Sequence, residues 1–287
     1  MICHDCPRNC GAARTAETGS GVCGYGTTAH IARAAPHFWE EPCVSGEKGS
    51  GTVFFCGCAL GCVYCQNAEI NNGENRGRAL TPEQLREHYF KLIEQGVHNI
   101  NLVTASHFTD AVIESLKGGL PVPVVYNCGG YEKIETIERL APYIDVWMPD
   151  LKYTDSALAA RYSRAPDYPR IAKAVIIKMY ELAGDYQLDE NGMIQKGVII
   201  RHLILPEHLE NTYRAIDFVK ENFKPGKILF SLMAQYTPMP NGGPKRKLSA
   251  DEYEAAQEYL FQSGIEDGFI QEPDSSGEEF IPDFKGM

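Results

Sequence analysis

From Thr52 onward the chain alternates short apolar runs with amphipathic segments, and no other feature restricts the fold as strongly. "TVFF" reads as a buried strand and "TPEQLREHYFKLIEQG" as the helix after it: Thr81 is placed to cap, Pro82 to take the first position and Gly96 to end it. The order then repeats: "HNINLVT" before "TDAVIESLKGG", "PVPVVYN" before "EKIETIERLAPY", and "IDVWMPD" before two helical segments, "SALAARYS" and "YPRIAKAVIIKMYELAG". "GVIIRHLIL" before "ENTYRAIDFVKENF" and "KILFSLMA" before "SADEYEAAQEYLFQSG" complete six units. Strand-then-helix repeats predict parallel strands joined by right-handed crossovers. Six units are too few to close an eight-fold barrel, so the expected fold class is α/β, a partial (β/α)6 TIM-like barrel with a lateral mouth. "YQLDENGMIQKG" carries the Asn-Gly signal of a small hairpin inserted before the fifth strand.

The first 51 residues have a different texture, rich in Gly, Cys and polar residues, with little periodicity and "EPCVSGEKGSG" as a closing linker. The expected organisation is a Cys-rich metal-binding extension over residues 1–51 and a barrel over residues 52–287, which ends in the acidic tail "QEPDSSGEEFIPDF". A balance of 38 acidic against 27 basic residues, net −11, argues against broad contact with nucleic acid or anionic lipid. No apolar run reaches membrane-spanning length, and "MICHDCPRNC" has no apolar signal core, so the expectation is a cytoplasmic protein.

Ten cysteines in a reducing compartment point to metal or redox work rather than structural disulfides. Cys58, Cys62 and Cys65 share the loop "CALGCVYC" after the first strand, at spacing C-x3-C-x2-C. Thiolates select zinc, copper(I) or iron–sulfur clusters. Three thiolates hold three irons of a 4Fe–4S cube and leave the fourth iron open to another ligand. Cys56 and Cys128 are read as buried structural thiols. In the extension, Cys3, Cys6, Cys10 and Cys23 form C-x2-C-x3-C-x12-C in a segment too poor in apolar residues to fold on a core of its own. Zinc and an auxiliary 4Fe–4S cluster suit those four thiols equally.

Parallel barrels gather chemistry where strands end. Beyond the cysteine loop, those positions hold Thr104, Ser106 and His107 after the second strand, Asn127 after the third, Asp150 and Lys152 after the fourth, and Gln235 and Tyr236 after the sixth. Arg201 and His202 are neighbours on the fifth strand, so only one faces the lumen, and Arg201 is expected there with an anionic partner. His37, Trp39, Glu40 and Glu41 stand ahead of the first strand, at the mouth or packed on the barrel bottom, and "PNGGPKRK" is a candidate basic lid.

The cysteine motif, with an aromatic residue before its last cysteine, "QN" after it and "GTVFF" before it, resembles that of the radical S-adenosylmethionine (SAM) enzymes. "CPRNCGAAR", "HFWEEPCVSGEKGSGTVFF", "NLVTASH", "MPDLKY", "RHLILP" and "SLMAQYTP" resemble uncharacterised homologues of pyruvate formate-lyase activating enzyme. The resemblance implies a 4Fe–4S cluster on Cys58, Cys62 and Cys65 whose open iron chelates the methionine moiety of SAM. One-electron reduction, by a donor such as flavodoxin or ferredoxin, then cleaves a carbon–sulfur bond to give a 5′-deoxyadenosyl radical that abstracts a substrate hydrogen. It implies Lys152 for the methionine carboxylate, Asp150 for a ribose hydroxyl or the amino group, and Asn127 nearby. The family's Gly-Gly-Glu stretch is replaced here by Thr104-Ala105-Ser106-His107, whose hydroxyls or ring would take the amino contact. Gln235 is placed to read the adenine or the substrate. The leading expectation is activation of a glycyl radical enzyme partner in an anaerobic metabolism. Radical modification of a small molecule or peptide side chain is the second, and a non-catalytic iron–sulfur electron carrier the third.

Overall fold

The computed structural model describes residues 2–71, 75–240, 242–272 and 284. Most of the acidic tail, residues 273–283, lies outside the described residues, as does Asn241 of the basic loop. The chain opens with an irregular segment and then β1 (Ala29–His37), α1 (Pro42–Ser45), β2 (Ser50–Phe55), α2 (Ala68–Asn71) and β3 (Arg78–Leu80). Alternation follows: α3 (Pro82–Glu94), β4 (Ile100–Val103), α4 (Thr109–Leu116), β5 (Val124–Cys128), α5 (Ile134–Leu140), β6 (Val146–Pro149), α6 (Ser156–Ser163) and α7 (Tyr168–Ala183). The hairpin pair β7 (Gln187–Leu188) and β8 (Ile194–Leu203), then α8 (Leu209–Asn222), β9 (Leu229–Met233), α9 (Ala250–Ser263) and β10 (Gly268–Ile270) complete it.

The sheet runs β10-β9-β8-β6-β5-β4-β2-β1-β3. Every pair from β2 to β10 along that path is parallel, and β1 and β3 add antiparallel strands at the other edge. The six expected units are β2, β4, β5, β6, β8 and β9, a partial (β/α)6 barrel, with β10 as a short further parallel strand. Local chemistry sets the boundaries. Thr81 and Gln84 form a reciprocal capping box ahead of α3 with Pro82 in its first position, and Ser249 and Glu252 do the same for α9.

The region ahead of Thr52 departs from expectation. Ala29–His37 is a nine-residue strand, in register with β2 from Ile31 against Phe55 to His37 against Ser50. The segment expected as a linker instead holds α1 and the start of β2. α1 closes the bottom of the barrel: Cys43 and Val44 pack with inward-facing Val125, Val146, Met148, Ile199 and Leu229. Burying each such aliphatic side chain is worth roughly 1.5–3 kcal/mol, so the plug stabilises the barrel as well as sealing it.

Parallel register sorts the remaining residues by face. Leu102, Tyr126, Trp147, Ile200 and Phe230 belong to the large outer core that also contains Leu85, Ile137, Val175 and Ile216 of the helices. Thr52, Asn101, Asn127, Arg201 and Ser231 share the opposite face with the apolar plug, Asn127 one step beyond Val125 on β5 and Arg201 and Ser231 one step beyond Ile199 and Leu229. A polar layer in the lumen is therefore written into strand alternation.

Candidate active site

Above that layer lies a cavity of about 660 Å3 at the C-terminal ends of the strands. Its wall combines Cys58, Cys62 and Cys65 with Thr104, Asn127, Asp150, Lys152, Arg201 and Gln235. His37, Trp39, Glu40 and Glu41 close it from one sheet edge and residues 268–272 from the other.

The cysteine loop leaves β2 through Gly57 (φ +84°) and turns through Gly61 (φ +62°), conformations that a side chain strains. Each of its three thiols receives one hydrogen bond. The Leu60 N–H donates to Cys58 Sγ (3.3 Å), Ser163 Oγ to Cys62 Sγ (3.0 Å) and Asn71 Nδ2 to Cys65 Sγ (3.2 Å). Donors aimed at sulfur stabilise the thiolate. Burial and the neighbouring thiols oppose it, pushing Cys65 up to about 12, and the Lys152 ammonium pulls the other way. A bound metal cation would settle that balance in favour of thiolates. Cys56 stays outside this wall, fully buried, as the sequence reading placed it.

Arg201 organises the polar layer. Its Nε donates to Asp150 Oδ1 (2.9 Å), Nη1 to Glu40 Oε2 (3.0 Å) and Nη2 to Asn127 Oδ1 (2.6 Å). Glu40 Oε1 accepts from Asn101 and Asn127, at 3.0 and 3.2 Å, and Lys152 Nζ donates to Asp150 Oδ2 at 2.5 Å. Burial raises the Asp150 pKa, but Arg201 and Lys152 overcome it and hold the carboxyl below its ordinary value. For Glu40 and Glu41 burial wins over Arg201, and both are raised. Glu41 Oε2, Asn71 Oδ1 and Thr237 Oγ1 are buried in this wall without a protein partner. The wall thus carries four acidic residues, Glu40, Glu41, Asp150 and Glu272, against the two cations Lys152 and Arg201, with polar atoms left over for a ligand.

Two expected residues are not brought to the cavity. Ser106 and His107 fall in a short 3-10 turn and are buried behind the wall. Ser106 Oγ donates to Glu132 Oε1 (2.5 Å), and His107 Nε2 bonds the Cys56 carbonyl (2.7 Å). The reason is Thr104, which adopts φ +63° and turns the chain so that the next residues point away. A β-branched residue there is strained by an estimated 1–3 kcal/mol, order of magnitude, a cost usually stored at functional sites. Thr104 itself stays in the wall. Gln235 is held from β10's end: Gln271 Nε2 donates to its Oε1 at 2.9 Å. Glu40, placed by the sequence at the mouth or on the barrel bottom, sits in the polar layer, and Ser231 and Glu132 had no sequence signal beyond strand alternation and an acidic residue in a polar loop. Burial pushes Glu132 up to about 7. The basic loop is fastened rather than loose, with Arg246 paired to Glu252 (2.6 Å) and Glu207 (3.6 Å).

Residues 52–219, more than half of the chain, match the radical SAM superfamily. The chain belongs to the radical SAM superfamily. It is 28% identical over 275 residues to an uncharacterized protein of Methanocaldococcus jannaschii, covering 89% of this chain and 73% of that one. Among solved structures it is similar to SuiB of Streptococcus suis (TM-score 0.54, 17% identity, 76% of this chain) and spans 47% of SuiB, about half its length. It is also similar to a radical SAM methyltransferase from Sphaerobacter thermophilus (TM-score 0.53, 16% identity), over 79% of this chain and 67% of that one. At these identities the structural likeness concerns the fold.

The superfamily implies a 4Fe–4S cluster and SAM, and the residues present fit both. Three hydrogen-bonded thiols on one loop match a cluster with one open iron. The carboxylate excess and unpartnered oxygens suit a ligand that carries an ammonium and a sulfonium. Among the described residues no three His, Cys, Asp or Glu side chains already converge as a finished metal site. No helix among the described residues is long and apolar enough to cross a membrane.

Proposed function

We propose that this radical SAM protein holds a 4Fe–4S cluster on Cys58, Cys62 and Cys65, cleaves SAM reductively there, and uses the product to abstract hydrogen from a glycine of a partner enzyme. When bound, the cluster and SAM supply a one-electron cleavage of a carbon–sulfur bond and a carbon-centred radical for the abstraction. The chain's own residues bind and orient. Lys152 offers its ammonium to the methionine carboxylate, exchanging it for Asp150, whose other oxygen stays on Arg201. Asp150 and Asn127 present acceptors to the amino and ribose groups, and Thr104 offers its hydroxyl from the strand end. Gln235 and Gln271 form a polar edge for the adenine. Glu40 and Arg201 fix this layer, so little reorganisation accompanies the reaction.

The observation that carries the reading is the meeting of three hydrogen-bonded thiols and a Lys152–Asp150–Arg201 network in one cavity. A non-catalytic electron carrier has no use for such a chamber. The rim supports a polypeptide substrate over a metabolite: Trp39 lines the cavity yet is 59% exposed, beside Phe38 at 51%. The one-electron donor, flavodoxin or ferredoxin, and a cytoplasmic, anaerobic setting belong to the same proposal.

The cofactor half and the substrate half of this reading are tested separately. Titrating SAM into the reduced, reconstituted protein should change the electron paramagnetic resonance spectrum of the cluster, because SAM takes the open iron. An unchanged spectrum at saturating SAM would remove the cofactor assignment. Lys152→Ala should weaken SAM binding at least tenfold with cluster iron unchanged, and loss of iron instead would make Lys152 structural. For the substrate, a glycine-centred radical should appear on a glycyl radical enzyme mixed with the active protein. Stimulation of SAM cleavage only by a low-molecular-weight extract would favour the small-molecule alternative.

A further inference from the structure

The N-terminal cysteines lie outside this cavity, in a segment with almost no core. Between residues 2 and 24 the buried apolar side chains are Cys3 and Ala12 alone. Even so, the backbone is folded tightly. The Cys3 N–H donates to Ala12 O (2.9 Å), Asn9 N–H to Cys6 O (3.1 Å) and Gly24 N–H to Gly21 O (2.9 Å). Asn9, Gly11 and Gly24 take positive φ (44°, 57° and 77°), turning the chain beside Cys10 and after Cys23. These turns fold the four cysteines into one short segment, where, among the described residues, no three thiols yet converge as a finished metal site. Cys6 lies within electrostatic reach of Cys3 and Cys23, and Cys23 within reach of Cys3 and Cys10. Gly21 shows how close the packing is, since a Cβ there would stand 3.1 Å from Cys10 Sγ.

A buried cation faces the segment: Arg14 Nη1 donates to Cys3 Sγ (3.4 Å) and to Asp5 Oδ2 (2.9 Å). A guanidinium beside sulfur favours a negatively charged thiolate site.

The segment is also bolted to the cluster loop. Arg8, between Cys6 and Cys10, donates to four carbonyls: Ala59 (2.7 Å), Leu60 (3.0 Å), Ser163 (2.7 Å) and Arg164 (2.5 Å). The first two lie between Cys58 and Cys62, and Ser163 is the residue whose hydroxyl bonds Cys62. Beside them Gly57 packs so closely that a Cβ would meet Cys23 O at 2.8 Å.

We propose that Cys3, Cys6, Cys10 and Cys23 hold a second metal centre, zinc or an iron–sulfur cluster on four thiolates, and that through Arg8 it braces the loop of Cys58, Cys62 and Cys65. Metal binding supplies the folding energy that the segment's missing core does not. The bracing half rests on the proposed cluster loop, but metal content and thiol protection report on the second centre whether or not SAM is cleaved.

Zinc, iron and sulfide are measured per chain in the reconstituted protein and in Cys10→Ser and Cys23→Ser variants. Each variant should lose one centre, either about one zinc or about four irons, while about four irons remain on the loop. Which metal is lost tells zinc from a cluster, and unchanged content in both variants would overturn the proposal. A readout without substitution guards against misfolding. Cys10 is exposed, so a free thiol there alkylates readily, whereas a metal ligand stays protected until a chelator is added. Rapid alkylation of Cys10 in the metal-loaded protein would also overturn it. For the brace, Arg8→Lys should keep both centres yet lose loop iron to a chelator several-fold faster than the unaltered protein. An equal rate would overturn the bracing role.

Discussion

At the residue scale the site is governed by Arg201. Its guanidinium is almost wholly buried and satisfied by Asp150, Glu40 and Asn127 together. Removing one member of such a group leaves uncompensated buried charge, typically at a cost of about 3–5 kcal/mol. Arg201→Met should therefore destabilise the protein by about that much in chemical unfolding, with Glu40→Gln added to it recovering part of the loss. A loss well under 1 kcal/mol would mean that Glu40 is already neutral and that the network is not ionic. Residues were legible in the sequence where face alternation or motif spacing decided them. Strand period established only that one of Arg201 and His202 faces the lumen; the need of a buried guanidinium for an anionic partner went with the choice of Arg201. Thr104, Ser106 and His107 were misgrouped because the positive φ at Thr104 cannot be read from a threonine, and that angle turns Ser106 and His107 out of the wall.

At the element scale β8 shows how one strand serves two faces. Arg201 points inward while His202 points to α8, its Nδ1 on the Leu151 carbonyl (2.6 Å) and its Nε2 on Thr212 Oγ1 (3.0 Å). The carbonyl can only accept, so Nδ1 carries a proton, and in the neutral ring Nε2 accepts from the threonine hydroxyl. Burial lowers His202 to about 4 from 6.5. Between those values the unfolded chain takes up a proton that the folded chain refuses, so stability falls as pH drops from 6.5 toward 4. The effect is on the order of 3 kcal/mol across the window. The stability advantage of the unaltered protein over His202→Gln should shrink from pH 7 to pH 4.5, measured by urea unfolding; a constant difference would show that His202 is not held neutral. The regular elements were legible because strand and helix periods alternate, broken only by the hairpin ahead of β8 and the paired helices α6 and α7. β1 was not: Ala29–His37 is alanine-rich, and much of its strand character comes from its register with β2. β10, three residues long, offers too short a pattern to read.

At the scale of the whole molecule, the family match begins at Thr52, but the structure continues across that point. β1 pairs with β2, α1 plugs the barrel, and the cysteine segment is tied to the cluster loop. A chain beginning at Thr52 should lose its plug and expose the β2 edge, and we expect it to aggregate or to melt far below the full chain. A soluble product with an unchanged melting temperature would show that the barrel is autonomous. The central claim is that the cavity at the strand ends cleaves SAM. It is tested most directly by reconstituting the chain with iron and sulfide under anaerobic conditions, adding a one-electron reductant and SAM, and quantifying 5′-deoxyadenosine against Cys62→Ala. The account predicts 5′-deoxyadenosine from the unaltered chain and none above background from Cys62→Ala. Equal amounts from the two, or none from a chain carrying its full complement of cluster iron, would contradict it.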